Sequence, residues 1–309
     1  MSESEEVLDQ ELEVAGTSHS EGLMVDIFRG RFSVDKILPW PEQVDESETE
    51  IRRTILLLKK VIMPQVDIEE IERRSHVPDH VVGLFASYGF FAMKCPIVQG
   101  GRGLSQKGYT EVLGFVGSYS SALAALLSAH NSLGVLYPLL HHGTEDQKKK
   151  FLGYIQMWPT GFCFTERGVG SDPASMKTYA LRVRSSSGEV IGYRITGEKW
   201  YTTNALKAKY LAVIAVVVDD LEELKVAKKK NFGVFIVDTS YGGVEIGSPN
   251  EFAGMRGIDN ANPVFKNVLV PVENLIGGEG DGFNIALKAL NSGRIAVASI
   301  CTASAKQAL

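Results

Sequence analysis

The chain is short of cysteine, short of histidine and without an excess of positive charge. Three cysteines occur in 309 residues, Cys95, Cys163 and Cys301. They are far apart and share no ligand spacing. That argues against a disulfide framework or a zinc site and suits a reducing compartment. The six histidines supply no metal site: His141 and His142 are neighbours whose side chains diverge on a helix. Net charge is −5, from 32 Lys and Arg against 37 Asp and Glu. With no long basic run, no nucleic-acid partner is expected. The lysine runs at 148–150 and 228–230 read as solvated faces. No apolar stretch reaches the length of a membrane span, so no transmembrane segment is expected, while peripheral membrane association stays open. The first residues do not read as an Arg-rich, acid-poor leader, so either targeting is absent or the true start is missing or atypical. Residues 1 to about 20 are instead acidic and Ser/Glu-rich, and read as a disordered tail.

What is present is a globular composition, 44% hydrophobic and 22% charged, on a chain long enough for two domains or more. Leu23 to Phe32 reads as a short amphipathic helix. Leu38-Pro39-Trp40-Pro41 reads as extended chain, because each proline restricts the residue before it. From Ser47 the pattern is helical. Ile51, Ile55, Leu58 and Ile62 make one apolar stripe, which Pro64 interrupts. A second helix is predicted from Asp79 to Tyr88, with Gly89 as a left-handed cap. Gly100-Gly101-Arg102-Gly103 reads as a flexible loop. One long helix of small residues, suited to close helix packing, is predicted from about Gln106 to Ala129. Thr144 and Gln147 form a capping box that opens the next helix. It carries Phe151, Leu152 and Ile155 inward and ends near Trp158-Pro159.

At Gly161 the period changes. Tyr179–Arg184 and Val190–Thr196 flank a turn at Ser185–Gly188, which predicts a hairpin. Leu211–Val218 and Phe232–Val237 are continuous apolar, β-branched runs consistent with buried strands. Asp219–Asn231 between them is charged surface, and Pro263–Val270 adds another strand. The strands leave little room for intervening helices, which predicts an antiparallel barrel or sandwich rather than a Rossmann sheet. Gly278-Glu279-Gly280-Asp281-Gly282 lacks the context and spacing of a dinucleotide motif. It reads as a loop into a last helix, Phe283–Leu309, with Ala286, Leu290, Gly293, Val297 and Ile300 on one face. That helix reaches the last residue with no C-cap, so its packing partners are expected to lie outside the chain.

The stretch Phe162-Cys163-Phe164-Thr165-Glu166-Arg167-Gly168-Val169-Gly170-Ser171-Asp172 begins as a strand and ends as a glycine-opened loop. A hydroxyl, two glycines and free backbone N–H groups are what a protein uses to approach a cofactor ring and its phosphates. Taken alone, these residues fit an ordinary strand-to-loop junction equally well.

This stretch resembles the aromatic-x-x-Thr-Glu-Pro-x-x-Gly-Ser-Asp signature of the acyl-CoA dehydrogenase family. Ile195-Thr196-Gly197-Glu198-Lys199-Trp200-Tyr201-Thr202-Thr203-Asn204 is similar to its second signature, Asn-Gly-x-Lys-x-Trp-Ile-Thr/Ser-Asn. Val270-Pro271-Val272-Glu273-Asn274-Leu275-Ile276-Gly277, followed by Gly280-Asp281-Gly282-Phe283, is similar to the junction into the family's C-terminal helical domain. Leu290-Asn291-Ser292-Gly293-Arg294 is closest to the very-long-chain members and to the paralogue that assists respiratory complex I assembly. The likeness runs from about residue 45 to 309, and several separated motifs in the right order make it specific.

The resemblance implies an α+β multidomain fold. Residues 1–44 are then a tail and extended arm, and 45–159 an all-α N-terminal domain. Residues 160–272 become the middle antiparallel β-barrel or sandwich domain. Residues 273–309 are the start of a C-terminal helical bundle. It implies FAD as cofactor, a fatty acyl-CoA as substrate and electron transfer flavoprotein as acceptor. It also implies a homodimer in the full-length form, a mitochondrial location, and α,β-desaturation of a long-chain acyl-CoA with hydride passing to FAD. Carried over residue by residue, the cofactor contacts fall on Phe162, Phe164, Thr165, Gly170, Ser171, Tyr201, Thr202 and Thr203. The Thr165 hydroxyl bonds the flavin's polar edge, and Gly170 allows close backbone approach. Ser171 bonds the cofactor or the CoA, and the Thr203 hydroxyl reaches flavin N5, the atom that accepts hydride. Ser171, Asn291 and Arg294 fall at the acyl-CoA site.

The departures are as specific as the matches. Arg167 replaces the family proline. Tyr201 replaces the stacking tryptophan, and Trp200, one residue earlier, is expected on the other side of a strand. Thr202 stands for Ile and Ala205 for Gly. Ile258 and Asn260 stand where Ser and Thr are common, without a single physical explanation. Desaturation also needs a carboxylate to take the α-proton. One family position for it lies in the C-terminal bundle, which this chain does not contain, and the other is Gly293. Glu166 reads as a salt bridge or cap. No catalytic residue is therefore assigned, and the 309-residue chain is expected to lack dehydrogenase activity. The alternative is a non-catalytic interaction or assembly protein that keeps the fold.

Overall fold

The computed structural model describes residues 48–226 and 230–309, with helix α1 (Leu23–Phe28) and residues 30, 34 and 38. The expectations for residues 1 to 20, for Pro39-Trp40-Pro41 and for Lys228-Lys229 lie outside the described residues. Helix α1 covers the first part of the helix expected from Leu23. From Glu46 onward the chain forms one unit.

Its first half is helical. Helix α2 (Glu48–Leu57) runs through a wide turn, Leu58–Ile62, into a tight one, Met63–Gln65. Ile51, Leu58 and Ile62 of the expected stripe are buried, and Pro64 marks its end because its ring cannot follow an α-turn. Helix α3 (Ile68–Arg74) starts on Asp67, whose carboxylate accepts the Glu70 N–H at 2.9 Å, satisfying one orphan donor of the first turn. Helix α4 (Asp79–Ser87) is followed by Gly89 at φ 72°, the left-handed conformation expected there.

The glycine run after α4 is packed tightly, contrary to the flexible loop expected. The N–H groups of Arg102, Gly103 and Leu104 donate to the carbonyls of Ala92, Cys95 and Met93. A Cβ at Gly101 would lie 2.0 Å from the Cys95 carbonyl oxygen, so only glycine fits.

The small-residue segment is two helices rather than one, α5 (Gln106–Tyr119) and α6 (Ser121–Ser128). Ser120 is extended, with φ −151°, and its hydroxyl accepts the Leu123 N–H at 3.3 Å. Serine competes with the helix for backbone donors and wins here as a cap. A wide turn, Ala129–Leu133, and α7 (Leu136–His142) follow. By length and composition Ser121–His142 could cross a membrane, which corrects the expectation that no stretch could, but 78% of its apolar window is buried inside the fold. Helix α8 (Glu145–Ile155) opens on the expected capping box: Thr144 N–H donates to Gln147 Oε1 at 2.9 Å, and Gln147 N–H to Thr144 Oγ1 at 3.2 Å.

Eight strands form the middle sheet: β1 (Gly161–Cys163), β2 (Tyr179–Arg184), β3 (Val190–Glu198), β4 (Tyr210–Val218), β5 (Phe232–Asp238), β6 (Val244–Ile246), β7 (Pro263–Pro271) and β8 (Leu275–Ile276). Their order is β6-β7-β3-β2-β4-β5-β8, with β1 also on β4. The β2–β3 hairpin is as expected, Tyr179 opposite Thr196. The barrel or sandwich is not: the sheet is open, and two of its pairings are parallel. Strands β1 and β2 share one side of β4, with Cys163 opposite Val213 and Tyr179 opposite Val216. The loop 164–178 leaves the sheet between them and carries the first signature outward.

Strand β4 explains its own continuous apolar run. Ala212, Ile214 and Val216 pack with Phe151 and Ile155 of α8, while Leu211, Val213 and Ala215 pack with Tyr193, Phe235 and Val268. Both faces are covered, so neither alternates with polar residues.

A short helix, α9 (Leu221–Val226), follows β4, and the long α10 (Gly282–Ala308) closes the described chain. Its buried face is Ile285, Ala286, Ala289, Ser292, Gly293, Ala296 and Ile300. Val297, expected on that face, is exposed. Helix α10 lies against α5 at very close range. A Cβ on Gly114 would meet Ser299 Oγ at 2.9 Å, and one on Gly117 would meet Ile300 Cγ2 at 2.8 Å. Ser299 Oγ and Ser304 Oγ donate to the Thr110 and Gly117 carbonyls, each at 2.8 Å.

Candidate functional site

Three segments converge beyond the open end of the sheet: the loop 164–178, the stretch 199–204 after β3, and the stretch 250–262 before β7. The first two are zipped by the Trp200 N–H, which donates to the Thr165 carbonyl at 2.9 Å. Beneath them lies Glu166. Its carboxylate accepts Lys199 Nζ at 2.8 Å and the N–H groups of Lys177 at 2.7 Å and Thr178 at 3.0 Å. Burial opposes ionisation of Glu166. The Lys199 ammonium and the three donors outweigh it and hold the carboxyl below its usual range. Glu166 is therefore a structural anchor, as its sequence context suggested, with three donors on its two oxygens.

Glu166 and Val169 exchange backbone hydrogen bonds at 3.1 and 3.0 Å, folding Arg167-Gly168 into a tight turn. Beyond it the loop is open: a Cβ at Gly170 would meet nothing within 4 Å. The Thr165 and Ser171 hydroxyls make no hydrogen bond to a described residue; Thr165 is half-buried and Ser171 exposed. Phe162 and Phe164 are half-buried, with ring centroids 5.8 Å apart, and Phe164 reaches Phe283 in the first turn of α10 at 6.2 Å.

The second segment departs from the expected strand geometry. Strand β3 stops at Glu198, and Tyr201 has φ 56°. Alternation no longer applies there, so Trp200 and Tyr201 do not take opposite sides; their rings meet edge to face at 5.6 Å. The Arg167 guanidinium lies over the Trp200 ring at 5.4 Å. The residue in place of the family proline thus has a cation–π partner. Tyr201 is 54% exposed and also reaches Phe252.

Thr202 and Thr203 part company. Thr202 is 1% exposed, its hydroxyl bonds Cys163 Sγ at 3.6 Å, and its backbone exchanges both bonds with Ala261. Its side chain turns inward and its hydroxyl proton is used within the chain. Thr203 is half-buried, and its Oγ1 accepts Asn260 Nδ2 at 3.1 Å.

Asn291 and Arg294 sit on the exposed side of α10, joined by Arg294 Nη1 donating to Asn291 Oδ1 at 3.1 Å. They lie about 12 and 16 Å along the helix from Phe283, and no described contact joins them to the signature loop. Gly293 has ordinary room beside it, Leu133 Cδ2 lying 3.5 Å from an ideal Cβ.

Sequence reasoning missed Asn250 and Asn262. With Asn260 they form a side-chain network behind Tyr201 and Thr203. Three asparagines in one short stretch were the available signal. Their spacing follows no motif, since the network closes only in three dimensions.

Residues 45–156 match the acyl-CoA dehydrogenase N-terminal domain and residues 161–268 its middle domain. The probable acyl-CoA dehydrogenase FadE10 of Mycobacterium tuberculosis is 38% identical over 285 residues, 92% of this chain and 42% of that protein. The mitochondrial very long-chain specific acyl-CoA dehydrogenase of Homo sapiens is 30% identical over 287 residues, 91% of this chain and 43% of that protein. A solved acyl-CoA dehydrogenase from Bacillus anthracis, complexed with FAD, matches with a TM-score of 0.74 at 25% identity, over 92% of this chain and 47% of that one. The chain thus spans less than half the length of these relatives. Two domains matched in order, over an N-terminal helical layer and a middle sheet of the same architecture, show that the chain belongs to the acyl-CoA dehydrogenase family.

Proposed function

We propose that the chain forms the flavin- and thioester-contacting part of an acyl-CoA dehydrogenase. The enzyme takes FAD, desaturates a long-chain fatty acyl-CoA between its α and β carbons, and passes electrons to electron transfer flavoprotein. The observation that carries this reading is a set of hydroxyls with unspent donors, Thr165, Ser171 and Thr203, on segments zipped together beside the exposed Tyr201 ring. The edge of an isoalloxazine is a row of carbonyl oxygens and ring nitrogens, and such donors fit it.

FAD, when bound, supplies the hydride acceptor. The chain's residues hold and orient it. Thr165 would donate to its polar edge and Thr203 to its hydride-accepting nitrogen, each bond contributing about 1 kcal/mol net. Tyr201 offers a stacking face smaller than tryptophan's. Arg167 adds a positive charge beside the loop where the phosphates would lie. Asn291 and Arg294 form a hydrogen-bonded polar pair for the acyl-CoA. Neither motif position supplies a base for the α-proton: Glu166 is committed to Lys199, and glycine precedes Arg294. The reading therefore assigns binding and orientation to these residues.

The test is a titration of the purified 309-residue protein with FAD, followed by flavin absorbance, and then addition of palmitoyl-CoA. A bound flavin whose band shifts or bleaches with the thioester supports the reading. A folded, soluble protein that stays colourless in excess FAD would overturn it for this chain and favour a non-catalytic interaction protein.

A further inference from the structure

We infer that Asn260 is a positioning residue: a chain of three oriented amides, anchored on the Tyr201 backbone N–H, turns the Thr203 hydroxyl proton toward the bound group. The inference rests on the proposed FAD site and names what that site asks of its ligand, an acceptor atom opposite Thr203.

The polarity follows step by step from one fixed donor. The Tyr201 N–H can only donate, so the Asn262 atom at 2.9 Å from it is Oδ1. Asn262 then presents Nδ2 to Asn250 Oδ1 at 3.1 Å and receives Asn250 Nδ2 on its own Oδ1 at 2.9 Å. The same Asn250 Nδ2 donates to Asn260 Oδ1 at 2.8 Å. That leaves Asn260 with Nδ2 toward Thr203, 3.1 Å from Oγ1. Flipping any one amide sets donor against donor or acceptor against acceptor.

The backbone holds the chain of amides in place. Asn250 N–H donates to the Asn260 carbonyl, and Asn260 N–H to the Ile258 carbonyl, each at 2.9 Å. Asn260 is 2% exposed, so water does not compete freely for its side chain. Thr203 Oγ1 must therefore accept from Asn260, and its own proton has no acceptor among the described residues. With the site filled, a lone pair on the bound group completes the hydroxyl. A nitrogen or oxygen without hydrogen satisfies it; an N–H in the same place leaves the hydroxyl proton unmet. This also accounts for Asn260 itself. A shorter side chain there would not span from Asn250 to Thr203, so the substitution belongs to a network.

Neutron diffraction from the deuterated, cofactor-free chain tests the order of the amides directly. The expected map has both Asn260 Nδ2 deuterons present with one directed at Thr203 Oγ1, and the Thr203 deuteron directed elsewhere. A Thr203 deuteron lying toward Asn260 overturns the inference. The second measurement is FAD affinity. Asn260→Leu is expected to weaken it about fivefold in the native background, the scale of one lost hydrogen bond, and less than twofold in a Thr203→Val background. Equal losses in both backgrounds mean that Asn260 acts only on the fold, and overturn the positioning role. If the native chain takes up no FAD, the proposed function fails, and the neutron map still decides the order of the amides.

Discussion

The Lys199 ammonium lies 2.8 Å from the Glu166 carboxylate, and both side chains are buried. Removing either partner leaves the other charge stranded in the interior. Glu166→Ala also strips an acceptor from the Lys177 and Thr178 N–H groups. The expected loss is about 3–5 kcal/mol, and Glu166→Leu combined with Lys199→Met recovers the part owed to the stranded charge, while the Lys177 and Thr178 N–H groups stay without that acceptor. Urea unfolding midpoints of the single and double variants check this. A double variant no more stable than the singles would contradict it.

His130 gives the fold an acid limit. Thr160 N–H donates to its Nδ1 at 3.0 Å, so Nε2 carries the proton and donates to the Phe91 carbonyl at 2.8 Å. Burial pushes the imidazole down to about 4, against about 6.5 when unfolded. Above pH 6.5 neither state binds the extra proton, and the contribution is complete. Between pH 6.5 and 4 the unfolded chain binds it and the folded chain does not, so stability falls as pH falls. The total is on the order of 3 kcal/mol. Denaturant midpoints measured from pH 7 to 4 should show this slope, and His130→Gln should flatten it.

The three thiols should separate by access. Cys95 and Cys163 are buried and Cys301 is exposed. Burial pushes the Cys163 thiol up to about 12 and raises that of Cys95 as well. Low thiolate fraction and no access both slow reaction. A chromogenic disulfide reagent at neutral pH is expected to titrate one thiol quickly and the other two only with unfolding. Cys301→Ser should abolish the fast phase.

Two substitutions at the proposed cofactor face should act in opposite directions. Thr203→Val removes a donor and is expected to weaken FAD binding about fivefold. Tyr201→Trp enlarges the stacking face and is expected to tighten it severalfold. Equilibrium titration by flavin fluorescence reads both. Identical affinities for the two variants would dissociate this face from the flavin.

Local patterns carried much of the fold. The capping box at Thr144, the cap at Gly89 and the hairpin around Ser185 rest on contacts within a few residues, and the apolar runs of β4 and β5 show in residue type alone. What the sequence concealed depends on distant partners. The parallel seating of β1 and β2 on β4 is a matter of register between strands, and nothing in Gly161–Cys163 encodes it. Ser120 breaks a helix that composition alone would continue, because its side chain captures the Leu123 N–H. At the site, the hydroxyls of Thr165, Ser171 and Thr203 could be located from motifs. The inward turn of Thr202 and the shared side of Trp200 and Tyr201 could not, since they follow from a positive φ at Tyr201 that its residue type does not favour. The asparagine relay was hidden for the same reason: amide polarity is a property of the assembled network.

The close seam between α5 and α10 bears on how this protein is made. Ser304 and the Gly117 carbonyl that it bonds are separated by 187 residues, and Ala296 and Ile300 complete the core of the first helices. On the ribosome those helices emerge early and wait, with one wall missing, while the whole sheet is synthesised. Closure over so long a loop is slow, and the waiting apolar seam is where a nascent chain would aggregate or recruit a chaperone. The helical half is therefore sealed only after the sheet, although it is translated before it.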